Sequence, residues 1–130
     1  MIKIKYLPKN TKRISGVGRA DYKKKIIYLR KGITPMQKKV TIAHEKAHFG
    51  LRRMGINRFP KKVVNELKNS PRYKSYIPEG YKRNKIPIEI FTDTYGALKS
   101  GEISKQTFKK SFAKKYPYSY KYFNKTFKRI

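Results

Sequence analysis

Residues 34–55 read TPMQKKVTIAHEKAHFGLRRMG and carry the strongest helix signal in the chain. Thr34 is a typical N-cap, and Pro35 suits the first helical position. The glycine at 55 is a typical stop after a cationic last turn. Between these ends, apolar residues recur every three or four positions and form one stripe, made of Met36, Val40, Ala43, Ala47, Leu51 and Met54. The spacing predicts a helix over about residues 35–54.

The first thirty residues predict a small sheet of about three strands. Apolar side chains alternate from Ile2 through Ile4 to Tyr6, which is the period of a half-buried strand. A second strand falls within residues 13–21, although its two glycines weaken it. Residues 25–29 form a third, apolar run, and a turn is expected between the second and third strands.

Three further helices are expected after the first. One begins at Pro60, one spans about residues 87–99, and one is capped by Ser104. Residues 70–85 contain two prolines and a glycine and are expected to form a loop. A short terminal helix should follow Pro117. With 130 residues, the chain has the length of one domain. The sequence therefore predicts a single α+β domain, residues 1–130, with a small N-terminal sheet packed on about four helices.

The charge of the chain has two interpretations. It carries 35 Lys and Arg against seven Asp and Glu, a formal charge of +28 at pH 7. Such a charge attracts nucleic acid, anionic membrane surfaces or acidic partners. However, 26 of the cations are Lys, which often only solvates a surface. The absence of cysteine excludes disulfides and thiolate zinc fingers. Because no stretch resembles a membrane span or a signal peptide, we expect a cytoplasmic protein.

Residues 44–48 read HEKAH and lie in the middle of the expected first helix. His44 and His48 are four residues apart, so both imidazoles lie on one helix face and can reach one metal ion. Glu45 is rotated by about 100° from His44, which suits a general base that acts on metal-bound water. This is the HExxH spacing of zinc metallopeptidases. The chain has only these two histidines, and the motif predicts one zinc ion per chain.

A catalytic zinc needs a third protein ligand and an open position. No histidine or cysteine remains, so the third ligand must be a carboxylate. Glu89 and Asp93 are one turn apart on the expected third helix, and Gly96 shares their face. A carboxylate of this helix can meet the two histidines if Gly96 allows close approach. Asp93 would then accept the other ring N–H of a histidine.

The motif HEKAH at 44–48, followed by EIFTDTYG at 89–96, resembles the gluzincin metallopeptidases. Gluzincins pair HExxH with a downstream ExxxD, and the size is similar to that of the minimal soluble members, the minigluzincins. The resemblance covers roughly residues 20–100. It implies a zinc metalloendopeptidase in which His44, His48 and Glu89 hold the metal. It also implies that Glu45 polarises water and passes its proton to the leaving amine, while Asp93 orients a histidine.

The resemblance also implies two substrate-binding features. The strand at 25–29, with Ile26 and Tyr28, would be the edge strand that pairs with an extended peptide. Many gluzincins stabilise the oxyanion with a distal histidine or a tyrosine, and this chain has no third histidine. The remaining candidates are Tyr76, Tyr81, Arg83 and Tyr95, and spacing does not choose among them.

The C-terminal tail, residues 104–130, is basic and rich in aromatic residues. Such a tail can bind single-stranded nucleic acid, pack on the domain as two helices, or fold over the cleft and keep a precursor latent. A second function hypothesis follows, a nucleic-acid-associated binding protein with a structural zinc site. Structural zinc normally has four protein ligands, whereas three ligands with an adjacent glutamate leave a site for water. This difference favours the peptidase, whose partner would be a peptide or protein substrate.

Overall fold

A computed structural model of the protein describes residues 1–11 and 16–130. Within these ranges, three strands precede seven α-helical segments, so the predicted α+β fold is confirmed. The strands are β1 (Lys3–Leu7), β2 (Gly18–Asp21) and β3 (Ile26–Arg30). The helices are α1 (Pro35–Arg53), α2 (Lys61–Leu67), α3 (Pro71–Tyr76), α4 (Ile86–Ser100), α5 (Lys105–Thr107), α6 (Ala113–Lys115) and α7 (Pro117–Phe127). Residues 13–15 of the predicted second strand lie outside the described residues.

The sheet has the order β1-β3-β2, so β3 lies in its centre. β1 runs parallel to β3, and β2 runs antiparallel to it. Ile26 is in register with Lys3 on one side and with Asp21 on the other. The prediction that Ile26 and Tyr28 lie on an edge strand is therefore wrong, because both sides of β3 are occupied by neighbouring strands. β2 is the edge strand that lies next to α1.

The first strand forms where the alternation predicts it, but it is not half-buried. Ile4 is 40% exposed and Tyr6 is 44% exposed, whereas Ile27 and Leu29 of β3 are fully buried. α1 packs against β2 and β3, so burial is concentrated on the central strand. Alternating sequence identified the strand but not the neighbours that would cover it.

The predicted helix over residues 35–54 is confirmed as α1. The Thr34 hydroxyl accepts a hydrogen bond from the backbone N–H of Gln37, whose side chain accepts one from the N–H of Thr34. This reciprocal pair is a capping box, which satisfies two otherwise unpaired donors. The predicted helix over 87–99 is also confirmed, as α4, and Gly101 ends it with a φ of 84°.

The prediction of a continuous loop over residues 70–85 is wrong. Ser70 accepts a hydrogen bond from the N–H of Tyr73, and Pro71 takes the first position of α3. These are the same start signals as Thr34 and Pro35. The loop prediction counted Pro71 with Pro78 and Gly80 as loop residues, but Pro71 begins this short helix and the other two lie beyond its end.

The C-terminal tail packs on the domain, as one of its three interpretations predicted. α5 and α6 flank a π-helical turn (Phe108–Phe112), and α7 follows. Phe123 is fully buried, with its ring centroid 5.0 Å from that of Phe91 on α4. Glu66 of α2 accepts hydrogen bonds from the N–H groups of Tyr118 and Ser119 and so caps α7. The tail thus forms a large part of the aromatic core.

Candidate metal centre

α1 and α4 bring the predicted site residues together. Nε2 of His48 lies 3.2 Å from Oε1 of Glu89, and Nε2 of His44 lies 3.5 Å from Oε2 of Glu89. Oε1 of Glu45 is 3.6 Å from Nε2 of His44. Two groups of side chains here could hold a metal ion, namely His44 with Glu45 and His48, and His44 with Glu89 and Asp93.

Gly96 allows the two helices to approach closely, as the sequence predicted. A Cβ atom at this position would lie 2.9 Å from the backbone oxygen of Val40 and 3.5 Å from Cβ of His44. The first distance is shorter than side chains tolerate, so any larger residue would push α4 away from α1. The ligand-to-ligand distances at Glu89 therefore depend on a glycine two turns away.

Asp93 orients His44 from the side opposite Glu89. Its Oδ1 lies 2.8 Å from Nδ1 of His44, a distance at which the ring N–H donates to the carboxylate. A proton held on Nδ1 leaves the lone pair of Nε2 directed at Glu89, as a metal ligand requires. Arg72 of α3 lies 3.6 Å from the other oxygen of Asp93. No sequence pattern indicated this contact, because α3 was expected to be a loop.

The spacing of the donor atoms can be compared with that around a tetrahedral metal ion. Bonds of about 2.0–2.1 Å in a tetrahedron separate neighbouring ligand atoms by about 3.3–3.4 Å. The two imidazole-to-carboxylate distances, 3.2 and 3.5 Å, are close to this value and run to different oxygens of Glu89. His44, His48 and Glu89 thus offer donor atoms of the type that a divalent metal ion takes, and the hydrogen bond to Asp93 fixes the tautomer of His44.

The carboxylates of the site differ in their surroundings. Burial raises the pKa of Glu45, the charge of Glu89 adds to this, and the two imidazoles oppose it. Burial also acts on Glu89, but the hydrogen bond from His48 and the charges of both imidazoles hold its pKa below the usual value. Burial alone would lower the pKa of His44, but Asp93, Glu45 and Glu89 outweigh it and raise that pKa. Two neighbouring carboxylates thus have opposite tendencies to hold a proton.

The site opens into a cleft of about 540 Å³ that runs beside β2. One wall is formed by residues 16–20, which include the N-terminal part of β2, and the other by Val40, Thr41 and the site residues of α1. Tyr22 and Tyr81 also line the cleft. The lining contains no residue after Asp93, so among the described residues the C-terminal tail does not cover it.

Tyr22 was missed by the sequence reasoning. It lies in the turn that Asp21 stabilises by accepting a hydrogen bond from the N–H of Lys24. Its ring contacts His48 edge-on at 6.2 Å and Phe49 at 5.1 Å. Burial raises its pKa, and the charges of Glu45 and Glu89 raise it further. No motif marks this tyrosine, because only the packing of the turn against α1 brings it to the site.

The structure separates the four oxyanion candidates. Tyr81 lines the cleft, and Tyr76 packs edge-on against it with ring centroids 4.9 Å apart. Tyr95 lies on the opposite face of α4, where its ring contacts Phe127 at 5.3 Å. Arg83 and Tyr76 are not among the residues that line the cleft. Tyr81 is therefore the only one of the four that faces the candidate metal centre within the described ranges.

No protein-family model, curated protein or solved structure matches this chain. In the part of the chain that the structure describes, no helix is both long enough and apolar enough to cross a membrane.

Proposed function

We propose that the protein is a zinc-dependent metalloendopeptidase of the gluzincin type. The observation that carries the proposal is that Nε2 of His44 and Nε2 of His48 both lie within 3.5 Å of the carboxylate of Glu89, each beside a different oxygen. Glu45 lies 3.6 Å from the same nitrogen of His44, and Asp93 contacts the other ring nitrogen. A site of three ligands at the base of an open cleft leaves room for water and a substrate carbonyl.

The residues of the site have distinct roles in the proposed reaction. Bound zinc would act as a Lewis acid and lower the pKa of water. Glu45 accepts a proton from the water whose oxygen attacks the peptide carbonyl carbon. When the C–N bond breaks, Glu45 returns this proton to the departing nitrogen. Asp93 keeps the proton of His44 on Nδ1, and Tyr22 and Tyr81 are the tyrosines of the cleft from which the oxyanion could receive a hydrogen bond.

β2 is the strand that we propose for substrate binding. It pairs with β3 on one side, and its residues 18–20 line the cleft. An extended peptide in the cleft could therefore add to the sheet through backbone hydrogen bonds. This assigns to β2 the role that the sequence had suggested for Ile26 and Tyr28.

Two observations weigh against the alternative of a nucleic-acid-binding protein with structural zinc. The first is the open cleft at the site, because structural zinc sites are normally closed by four protein ligands. The second is the burial of two tail aromatics, Phe108 and Phe123. Both belong to the core, so they offer no stacking surface for bases. The +28 charge is compatible with a protein that acts on acidic substrates.

The decisive variant is Glu45→Gln, which keeps the size of the side chain and removes its ability to accept a proton. Wild-type protein should contain one zinc ion per chain and cleave an unstructured protein such as casein, and a chelator should abolish cleavage. Glu45→Gln should keep its zinc and lose about 10²- to 10⁴-fold in kcat/KM. The matched control is Glu102→Gln, because Glu102 is exposed just past the end of α4 that is remote from Glu89.

The same pair of variants distinguishes the structural alternative. If Glu45 were a fourth ligand that closes the site, Glu45→Gln would lose zinc, while Glu102→Gln would keep it. Protein prepared without chelator that contains no bound zinc would overturn the proposal, and so would unchanged cleavage by Glu45→Gln.

A further inference from the structure

A second pocket, of about 460 Å³, adjoins the cleft. Four residues line both, and they form the boundary between the two: Tyr22, His48, Tyr81 and Glu89. Behind this boundary, the buried side chains of Leu51 and Ile88 line the pocket. A peptide in the cleft can therefore insert one side chain past His48 and Glu89. We call this space the side pocket.

Three cations line the side pocket, namely Arg52, Lys82 and Lys85. The positions of Arg52 and Lys85 follow from the antiparallel packing of α1 and α4, in which Glu89 contacts His48 and Asp93 contacts His44. Arg52 is four residues after His48, and Lys85 is four residues before Glu89. The backbone of each therefore lies about one helical turn, or 5.4 Å, beyond a site residue, and both lie in the same direction.

These cations are not neutralised within the protein. Among the described residues, none of the three has a carboxylate within ion-pair distance. The Arg52 guanidinium is instead held over the ring of Tyr22 at 4.3 Å. Glu89 is the one carboxylate that lines the pocket, and Glu79 in the neighbouring turn does not line it. Unpaired cations are common in a chain of charge +28, but here they converge next to the candidate metal ligands.

We propose that the side pocket selects an acidic side chain, glutamate above all, next to the scissile bond of the substrate. This inference rests on the proposed peptidase function and names its substrate class. A glutamate side chain that enters the pocket past His48 and Glu89 would approach Arg52 and Lys85, which line it. Its methylene groups would contact Leu51 and Ile88, and its carboxylate would meet the cations. A neutral residue would make no ion pair with the cations, and a lysine would be repelled.

The test compares three peptides that differ in one residue, which is Glu, Gln or Lys. The peptides are otherwise neutral, carry a neutral fluorophore and are amidated at the C-terminus. The variable residue is placed in turn on each side of the scissile bond. At about 0.15 M salt, where charges are screened beyond about 8 Å, the wild type should cleave the Glu peptide about tenfold better than the Gln peptide in kcat/KM. Lys82→Glu/Lys85→Glu should remove this preference or turn it towards Lys.

The matched control is Lys110→Glu/Lys114→Glu, which makes the same change in net charge on the exposed tail. If only the overall charge attracted acidic peptides, both double variants would lose the Glu preference equally. The proposed selectivity of the side pocket would then be wrong. A second set of the same peptides has a free C-terminus. If only this set showed the preference, the pocket would bind the chain terminus, and the assignment to a side chain would also be wrong. Retention of the preference in the control alone supports the proposal.

A binding measurement separates this inference from the proposed function. Zinc-loaded Glu45→Gln should bind the Glu peptide more tightly than the Gln peptide by about tenfold in anisotropy titrations, and Lys82→Glu/Lys85→Glu in the same background should not. Selective binding without any cleavage by the wild type would overturn the proposed peptidase function but support the selectivity of the side pocket. Efficient cleavage with equal kcat/KM for all three peptides would overturn the selectivity of the side pocket but support the peptidase function.

Discussion

α4 has two faces with opposite character, and the contrast explains how so small a protein can carry a polar centre. The site face, with Glu89, Asp93 and Gly96, lies against α1 and surrounds two imidazoles with carboxylates. The core face, with Phe91 and Tyr95, lies against the tail, where both rings contact Phe127. Burying ionisable groups is costly unless they are paired. The aromatic face therefore holds the helix in place while the other face exposes its polar groups to the cleft.

The largest expected effect is loss of stability from the core face. Phe91→Ala removes a fully buried ring that contacts Phe59, Phe123 and Phe127. The free energy of unfolding should fall by about 3–5 kcal/mol, measured by urea denaturation of the metal-free protein. The control is Tyr118→Ala, because Tyr118 is an exposed tail aromatic and its loss should cost less than about 0.5 kcal/mol. An equal effect of the two changes would mean that the tail does not form the core.

Gly96→Ala should damage both faces, because it acts on the distance between α1 and α4. The added methyl group meets the backbone oxygen of Val40, so α4 must shift, at a cost of about 1–3 kcal/mol. Zinc affinity, measured by competition with a chelator, should fall with it. Gly50→Ala is the control, because the new methyl group meets only the side chain of Ile130 at the chain terminus, at 3.0 Å. Unchanged zinc affinity in Gly96→Ala would show that the site does not depend on this approach.

Asp93→Asn should affect the site face alone. An amide can still accept a hydrogen bond from Nδ1–H of His44, but it carries no charge to strengthen the imidazole as a ligand. Zinc affinity should fall by about 10- to 100-fold, with little change in the unfolding free energy of the metal-free protein. A loss of stability as large as that of Phe91→Ala would contradict the separation of the two faces.

The smallest effect is expected from Arg72→Gln. Arg72 is about half exposed and lies 3.6 Å from Asp93, so its ion pair is worth less than about 1 kcal/mol. Zinc affinity should fall by no more than about fivefold in chelator competition, and the difference should shrink at high salt. In Asp93→Asn the same change should have no further effect, because the charge that Arg72 contacts has been removed. If Arg72→Gln lowered the zinc affinity of Asp93→Asn as much as that of the wild type, Arg72 would act through a contact other than Asp93.

Local spacing was sufficient to predict the helices that form the site. Thr34 and Pro35 begin α1, Gly101 ends α4, and the intervals of four residues place His44 with His48 and Glu89 with Asp93. Even the role of Gly96 in close packing could be inferred, since it follows Asp93 on the same face. These features depend on helix geometry, which is a property of short segments.

Strand positions and burial could not be predicted in the same way. β3 was expected at the edge of the sheet and lies in its centre, and Ile4 and Tyr6 alternate correctly but remain exposed. The sequence of a strand does not specify which neighbouring strands pair with it or which helix covers it. Pairing is decided by contacts between distant residues.

The sequence by itself determined the α+β class, the two site helices and the five residues that they bring together, because helical periodicity fixes which side chains share a face. Only the tertiary structure decided that β2 borders the cleft, that Phe108 and Phe123 of the tail are buried, and that Tyr22 and the side-pocket cations lie next to the candidate metal centre. These features arise where separate elements pack together, and the free energy of such packing depends on surfaces that no single segment contains.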